Sequence, residues 1–188
     1  MTQTYAAFLA FVFITTNIVT MADRRVAGQE RAASRPDLSG RWELNRDLSD
    51  DAKKKLESVQ SAGGHGPGRH FGGIFGGGQA AHAQLDDVIV NAPTAFVLTQ
   101  DDEKVLLTEP SGRVRTLPTN NRKVKIDGRD VRTKWENNRL VSEMSVGGAK
   151  VIESYERSPN APQLVVTANV SMRGRQVSIR RIYDAVRK

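Results

Sequence analysis

From Asp101 to the C-terminus, short turn-forming groups recur at intervals of about ten residues. They are Asp101-Asp102, Ser111-Gly112, Asn120-Asn121, Asp127-Gly128, Asn137-Asn138, Gly147-Gly148, Ser158-Pro159-Asn160 and Arg173-Gly174. Asn, Asp and Gly accept the positive φ that tight hairpin turns require. Segments this short, reversing this regularly, predict neighbouring strands of an up-and-down sheet.

The residues between the turns carry the matching alternation. Phe96 and Leu98, Val105 and Leu107, Val114 and Thr116, and Val124 and Ile126 each share a parity. Val131, Thr133 and Trp135 follow, then Leu164, Val166, Ala168, Val170 and Met172, then Val177 and Ile179. Strand side chains alternate faces, so each set points to one core. Between Arg139 and Val146 two parities compete, Leu140 with Met144 and Val141 with Ser145. Upstream, Leu38, Trp42 and Leu44 mark a first strand, and Val88 and Val90 another before the break at Ala92-Pro93. The reading is all-β: one antiparallel up-and-down barrel of about eight to ten strands, enough to close and remove exposed edges.

Leu48 to Gln60 reads as the one short helix after the first strand. Ser49 is its N-cap, Asp50 and Asp51 lie in the first turn, and Leu48, Ala52, Leu56 and Val59 form an apolar stripe. Residues 61–82 form a flexible Gly-rich insert, with nine glycines between Ser61 and Ala80. Glycine loses most backbone entropy on ordering, which places the insert outside a compact core.

The N-terminal run Ala6–Ala22 is 17 residues long, mostly apolar, and breaks at Asp23-Arg24-Arg25. That length suits a signal-peptide core, with Thr20-Met21-Ala22 as a cleavage site. We therefore expect a signal peptide over 1–22, a flexible leader over 23–36 and the barrel over 37–186. The protein is then periplasmic or secreted, with an uncleaved anchor as the alternative, since a double arginine after the run favours keeping that flank in the cytoplasm.

Gly40-Arg41-Trp42 on the first strand is similar to the Gly-x-Trp of lipocalins. With Leu38–Asn45, Thr133-Lys134-Trp135, Glu153–Pro159 and Ile182-Tyr183-Asp184, it resembles bacterial exported proteins with a lipocalin-like (calycin-type) β-barrel domain. The resemblance implies that Trp42 closes one barrel end, with an arginine of the C-terminal Arg180-Arg181 packed across it. It implies a fold and a cavity, not a particular ligand.

Catalytic chemistry finds little support. The chain has no cysteine, which removes disulfides, thiolate metal sites and cysteine nucleophiles. His65, His70 and His82 lie in or beside the Gly-rich segment, where spacings of five and twelve fit no closed zinc pattern. Such a segment holds no general base in place. Glu103, Glu109, Glu136, Glu143, Glu153 and Glu156 read as solvated strand charges. No catalytic residue, cofactor or metal follows.

Two binding readings remain. Trp42, Phe96, Leu98, Trp135, Val166 and Val170 are the candidate inward face for a small apolar or amphipathic ligand, in a binder or an envelope accessory protein. Alternatively, Arg113, Arg115, Lys123, Lys125, Arg132 and Lys134 stand opposite the apolar parity and form a cationic face. Between Arg113 and Glu136, eight basic residues against three acidic ones leave a local charge of +5, within a chain of +7. Such a face suits an anionic envelope component or membrane surface; sparse aromatic interleaving disfavours nucleic acid. The expected state is a monomer.

Overall fold

A computed structural model of the chain describes residues 35–61, 79–172 and 174–186. The signal-like run, the leader as far as residue 34, and the Gly-rich segment over 62–78 with His65 and His70 lie outside the described residues. The last leader residues are fastened to the barrel: Arg35 donates to the Asp102 carbonyl, and Gln100 Nε2 donates to the Pro36 carbonyl.

Ten strands form one antiparallel sheet. They are β1 (Gly40–Asn45), β2 (Ala95–Gln100), β3 (Lys104–Thr108), β4 (Val114–Pro118) and β5 (Asn120–Ile126), then β6 (Arg129–Glu136), β7 (Arg139–Val146), β8 (Ala149–Arg157), β9 (Gln163–Met172) and β10 (Arg175–Ala185). Two helices, α1 (Ala52–Ser61) and α2 (Gln79–Ile89), separate β1 from β2. The order β4-β3-β2-β1-β10-β9-β8-β7-β6-β5 pairs the first strand with the last. It leaves β4 and β5 at the two ends of the ladder, where they meet as a seam. The architecture is a calycin-like up-and-down barrel.

Most of the expected turns lie between strands, but Asn120-Asn121 falls inside β5 at a register shift, with Asn121 at φ 60°. Asp127 and Gly128 take φ of 50° and 76°, the left-handed values a two-residue hairpin needs. Gly40 lies at φ 152°, a backbone conformation that residues with a Cβ rarely adopt, which explains the Gly in Gly-x-Trp.

The core has two apolar regions. One gathers Leu38, Trp42, Phe96, Leu98, Leu107, Leu140, Tyr155, Leu164 and Tyr183. The other packs Leu56 of α1 and Leu85, Val88 and Ile89 of α2 over Val131, Met144, Val151, Ala168, Val170 and Ile179. The two helices therefore cover part of the barrel core with their apolar stripes.

Three local expectations change, and the competition in β7 is resolved. The Val88 and Val90 strand is instead the end of α2: Leu85, Val88 and Ile89 bury at helical spacing, and two valines two apart fit either period. The helix after β1 starts later than Leu48, and its cap is Asp51, whose Oδ1 accepts from the Lys54 amide at 3.0 Å. Ser49 is used elsewhere: its hydroxyl donates to the Asn45 carbonyl at 2.6 Å and accepts from the Ile182 amide at 2.9 Å. In β7 the inward parity is that of Leu140 and Met144, together with Ser142 and Val146. In β4 the parity is reversed: Val114 is 51% exposed while Leu117 is buried, so Arg115, not Thr116, shares the inner face.

Candidate functional site: a charged belt inside the barrel

The reversal in β4 places a guanidinium in the interior. Arg115 pairs across the sheet with Leu107, which is fully buried, and its side chain is only 16% exposed. Facing it is Glu153 of β8, 3% exposed and on the parity of Val151 and Tyr155. Arg115 Nη1 stands 3.8 Å from Glu153 Oε2, an ion pair too long for a hydrogen bond. The Tyr155 hydroxyl donates to that same oxygen at 2.9 Å.

The belt continues along the sheet register. Glu153 pairs with Ser142, and Ser142 with Thr133. The last two are fully buried and joined by a hydrogen bond from Thr133 Oγ1 to Ser142 Oγ at 3.3 Å. Arg181 of β10 is also buried, on the inward parity of Ile179 and Tyr183, and donates to the Ile89 carbonyl at the C-terminus of α2. That helix end carries partial negative charge, a favourable partner for a guanidinium. The Tyr183 hydroxyl donates to the Pro93 carbonyl at 3.0 Å.

Two arginines against one carboxylate give this interior a net positive charge. Burial opposes the charge on Arg115, but the Tyr155 oxygen and the Glu153 carboxylate outweigh it and hold the guanidinium's pKa above its ordinary value. Burial, reinforced by Glu153, raises the Tyr155 hydroxyl, and burial pushes Tyr183 up to about 12. Both phenols are thus neutral donors at physiological pH. Among the described residues, Arg115 Nε and Trp135 Nε1 are buried without any hydrogen-bond partner. Each such donor left unmatched costs about 1–3 kcal/mol.

Of the six expected inward residues, Trp42, Phe96, Leu98 and Val166 are buried in one cluster, and Trp135, partly buried, packs against it. Val170 is also buried but belongs to the helix-covered cluster. Trp42 is covered by a guanidinium 5.5 Å from its ring, and the residue is Arg157 of β8, not an arginine of the C-terminal strand. The C-terminal pair is committed elsewhere, with Arg180 exposed and Arg181 inside.

The cationic face is not one wall. Arg115 is interior. Lys123 and Lys125 both pair with Asp130, Lys134 with Glu136, and Arg113 with Asp127 at 2.7 Å. Arg132 has no ion-pair partner among the described residues. It shares a shallow outer hollow with Lys134 and Arg139, but also with Glu136 and Glu143. His82 belongs to α2.

Sequence reasoning missed Arg115, Glu153, Tyr155 and Arg181 as one interior group. The available signal was the Val151-x-Glu153-x-Tyr155 alternation, which places a carboxylate on an apolar parity.

These features define a class by architecture, a calycin-like barrel with a polar belt between apolar regions. Among solved structures, the chain is similar to an asparagine-to-alanine mutant of the fluorescent protein UnaG, with 14% identity, a TM-score of 0.50, and coverage of 80% of this chain and 97% of that one. Wild-type UnaG gives 16% identity, a TM-score of 0.48, and coverage of 79% and 97%. The zebrafish ileal bile acid-binding protein complexed with cholic acid gives 14%, 0.46, and 79% and 98%. At these identities the likeness is one of fold. No family model matches the sequence, and neither does any curated protein sequence.

Proposed function

We propose that the barrel binds a small amphipathic anion, with the charged group at Arg115 and the apolar body against the inward side chains. The observation that carries this is the buried Arg115 guanidinium, held beside Glu153 beyond hydrogen-bond distance with its Nε unmatched. A carboxylate accepts two guanidinium hydrogen bonds in parallel, so it meets the unmatched donor and the net positive charge together. The surrounding Leu107, Leu140 and Val166 suit an alkyl or ring body. The role is binding, not catalysis: Glu153 serves as counter-charge to Arg115 and acceptor for Tyr155.

The alternative, an outer cationic face that binds an anionic polymer or membrane, has less support. Most of its charges already have carboxylate partners on the same surface.

Displacement of a bound fluorescent naphthalene sulfonate by octadecanoate and by octadecan-1-ol tests the proposal. We expect the acid to compete at least about tenfold better than the alcohol, one charge-assisted hydrogen bond's worth. Its advantage should persist into about 1 M salt, because a buried pair is weakly screened. Equal competition by acid and alcohol would refute the charged recognition, and steep loss with salt would favour the outer face.

A further inference from the structure

Trp135 has a second unmatched donor, and its setting differs sharply from that of the other tryptophan. Trp42 Nε1 donates to the Leu38 carbonyl at 3.1 Å, so that indole is satisfied inside the fold. Trp135 Nε1 is buried and has no partner among the described residues. The strand alternation Val131, Thr133, Trp135 sets the ring on the inner face, and its cross-strand neighbour Leu140 is fully buried. Along β6 the ring follows Thr133, whose row leads through Ser142 to Glu153. Leu140 leads in the same way to Tyr155, which donates to Glu153. Trp135 and the charged belt are therefore neighbours on one interior surface.

We infer that Trp135 is a specificity residue that reads a hydrogen-bond acceptor on the ligand, separate from the anionic group at Arg115. The inference rests on the proposed anion-binding role and narrows its ligand class. The preferred ligand is an apolar acid carrying a second oxygen, such as a keto or hydroxy acid, in place of a simple alkyl carboxylate. An indole N–H donates only, so the complementary ligand atom is an acceptor. A site with a buried donor discriminates against an analogue that lacks the matching atom, because binding that analogue leaves the donor unpaired.

The test uses the full chain labelled with ¹⁵N. Its two tryptophans give two indole N–H signals, assigned in the native protein through each ring's own backbone resonances. Octadecanoate and a series of keto-octadecanoates, with the oxo group moved along the chain, are titrated in turn. We expect at least one keto acid to shift the Trp135 indole proton downfield, while the Trp42 signal stays in place. That acid should bind about tenfold tighter than octadecanoate, and in Trp135→Phe the ratio of the two affinities should fall to about one. If every keto acid binds no better than octadecanoate, or the Trp135 signal stays put while they bind, the inference is wrong. If none of the acids binds, the anion-binding proposal itself has failed. The native spectrum already contains the Trp135 signal, so the shift decides the question even if Trp135→Phe folds poorly.

Discussion

A guanidinium inside a barrel needs negative charge or acceptors around it, and Arg115 is only partly provided for. Glu153 sits 3.8 Å away and gives its nearer oxygen to Tyr155 at 2.9 Å. The carboxylate therefore balances the Arg115 charge without using its donors, and it competes with any incoming anion for that charge. Glu153→Gln keeps the size and one acceptor for Tyr155 but removes the negative charge. We expect the variant to bind octadecanoate more tightly, by about tenfold, while losing about 1–3 kcal/mol of stability to the uncompensated arginine. Calorimetric titration and urea unfolding measure the two effects, which run in opposite directions. Weaker binding together with lower stability would show that Glu153 only supports the fold. At this scale the sequence was readable for apolar residues and misleading for charged ones. Trp42, Phe96, Leu98 and Val166 are all buried as their parity predicts. Glu153 follows the same alternation, but the usual exposure of charged residues argues against placing it inside, and Arg115 stands opposite the parity that Val114 and Thr116 suggest for β4.

Elements show where periodicity is decisive and where it is not. The turn spacing located the strands from β5 to β10, and the β5–β6, β6–β7, β7–β8 and β9–β10 turns each use a positive-φ Asp, Asn or Gly. It oriented β4 the wrong way, with Val114 and Thr116 inward, whereas Arg115 and Leu117 face the interior. An interior with a polar belt removes the polarity contrast that normally orients a strand. It could not find α2 either, since the only long apolar residues there, Leu85, Val88, Ile89 and Val90, fit two periods and follow a Gly-rich stretch. The seam between β4 and β5 is held by side chains: Arg113, just before β4, reaches Asp127 in the β5–β6 turn at 2.7 Å. Asp87 of α2 joins Arg129 at 3.1 Å and stands 3.9 Å from Arg113, tying the helix to the seam. The hydrogen bond from Arg113 holds the Asp127 carboxyl below its ordinary value of 3.8. A depressed pKa in the folded state contributes stability above the ordinary value, lost as pH falls through the folded one. Wild type should therefore lose urea resistance below about pH 4 faster than Asp127→Asn, whose Asn accepts the same positive-φ turn. Parallel acid limbs for the two proteins would contradict a seam held by this pair.

At the scale of the whole molecule, two apolar regions flank one charged layer. Leu38, Trp42 and Phe96 fill one region, and α1 and α2 cover the other. Arg115, Glu153, Tyr155, Ser142, Thr133 and Arg181 face the interior on strands β4, β6, β7, β8 and β10. Filling the layer with apolar side chains would serve stability better, since buried charges are expensive to desolvate. A charged layer in this position is what the proposed binding of an amphipathic anion requires. Outside, most lysines and arginines of the β4–β6 region have carboxylate partners. Calorimetric titration of octadecanoate into wild type and Arg115→Met is the most direct test, because methionine preserves an unbranched apolar stem and deletes the guanidinium. We predict saturable one-to-one binding in wild type and a loss of at least about tenfold in the variant, with unfolding still cooperative. Equal affinity in both proteins would mean that the buried arginine does not hold the ligand.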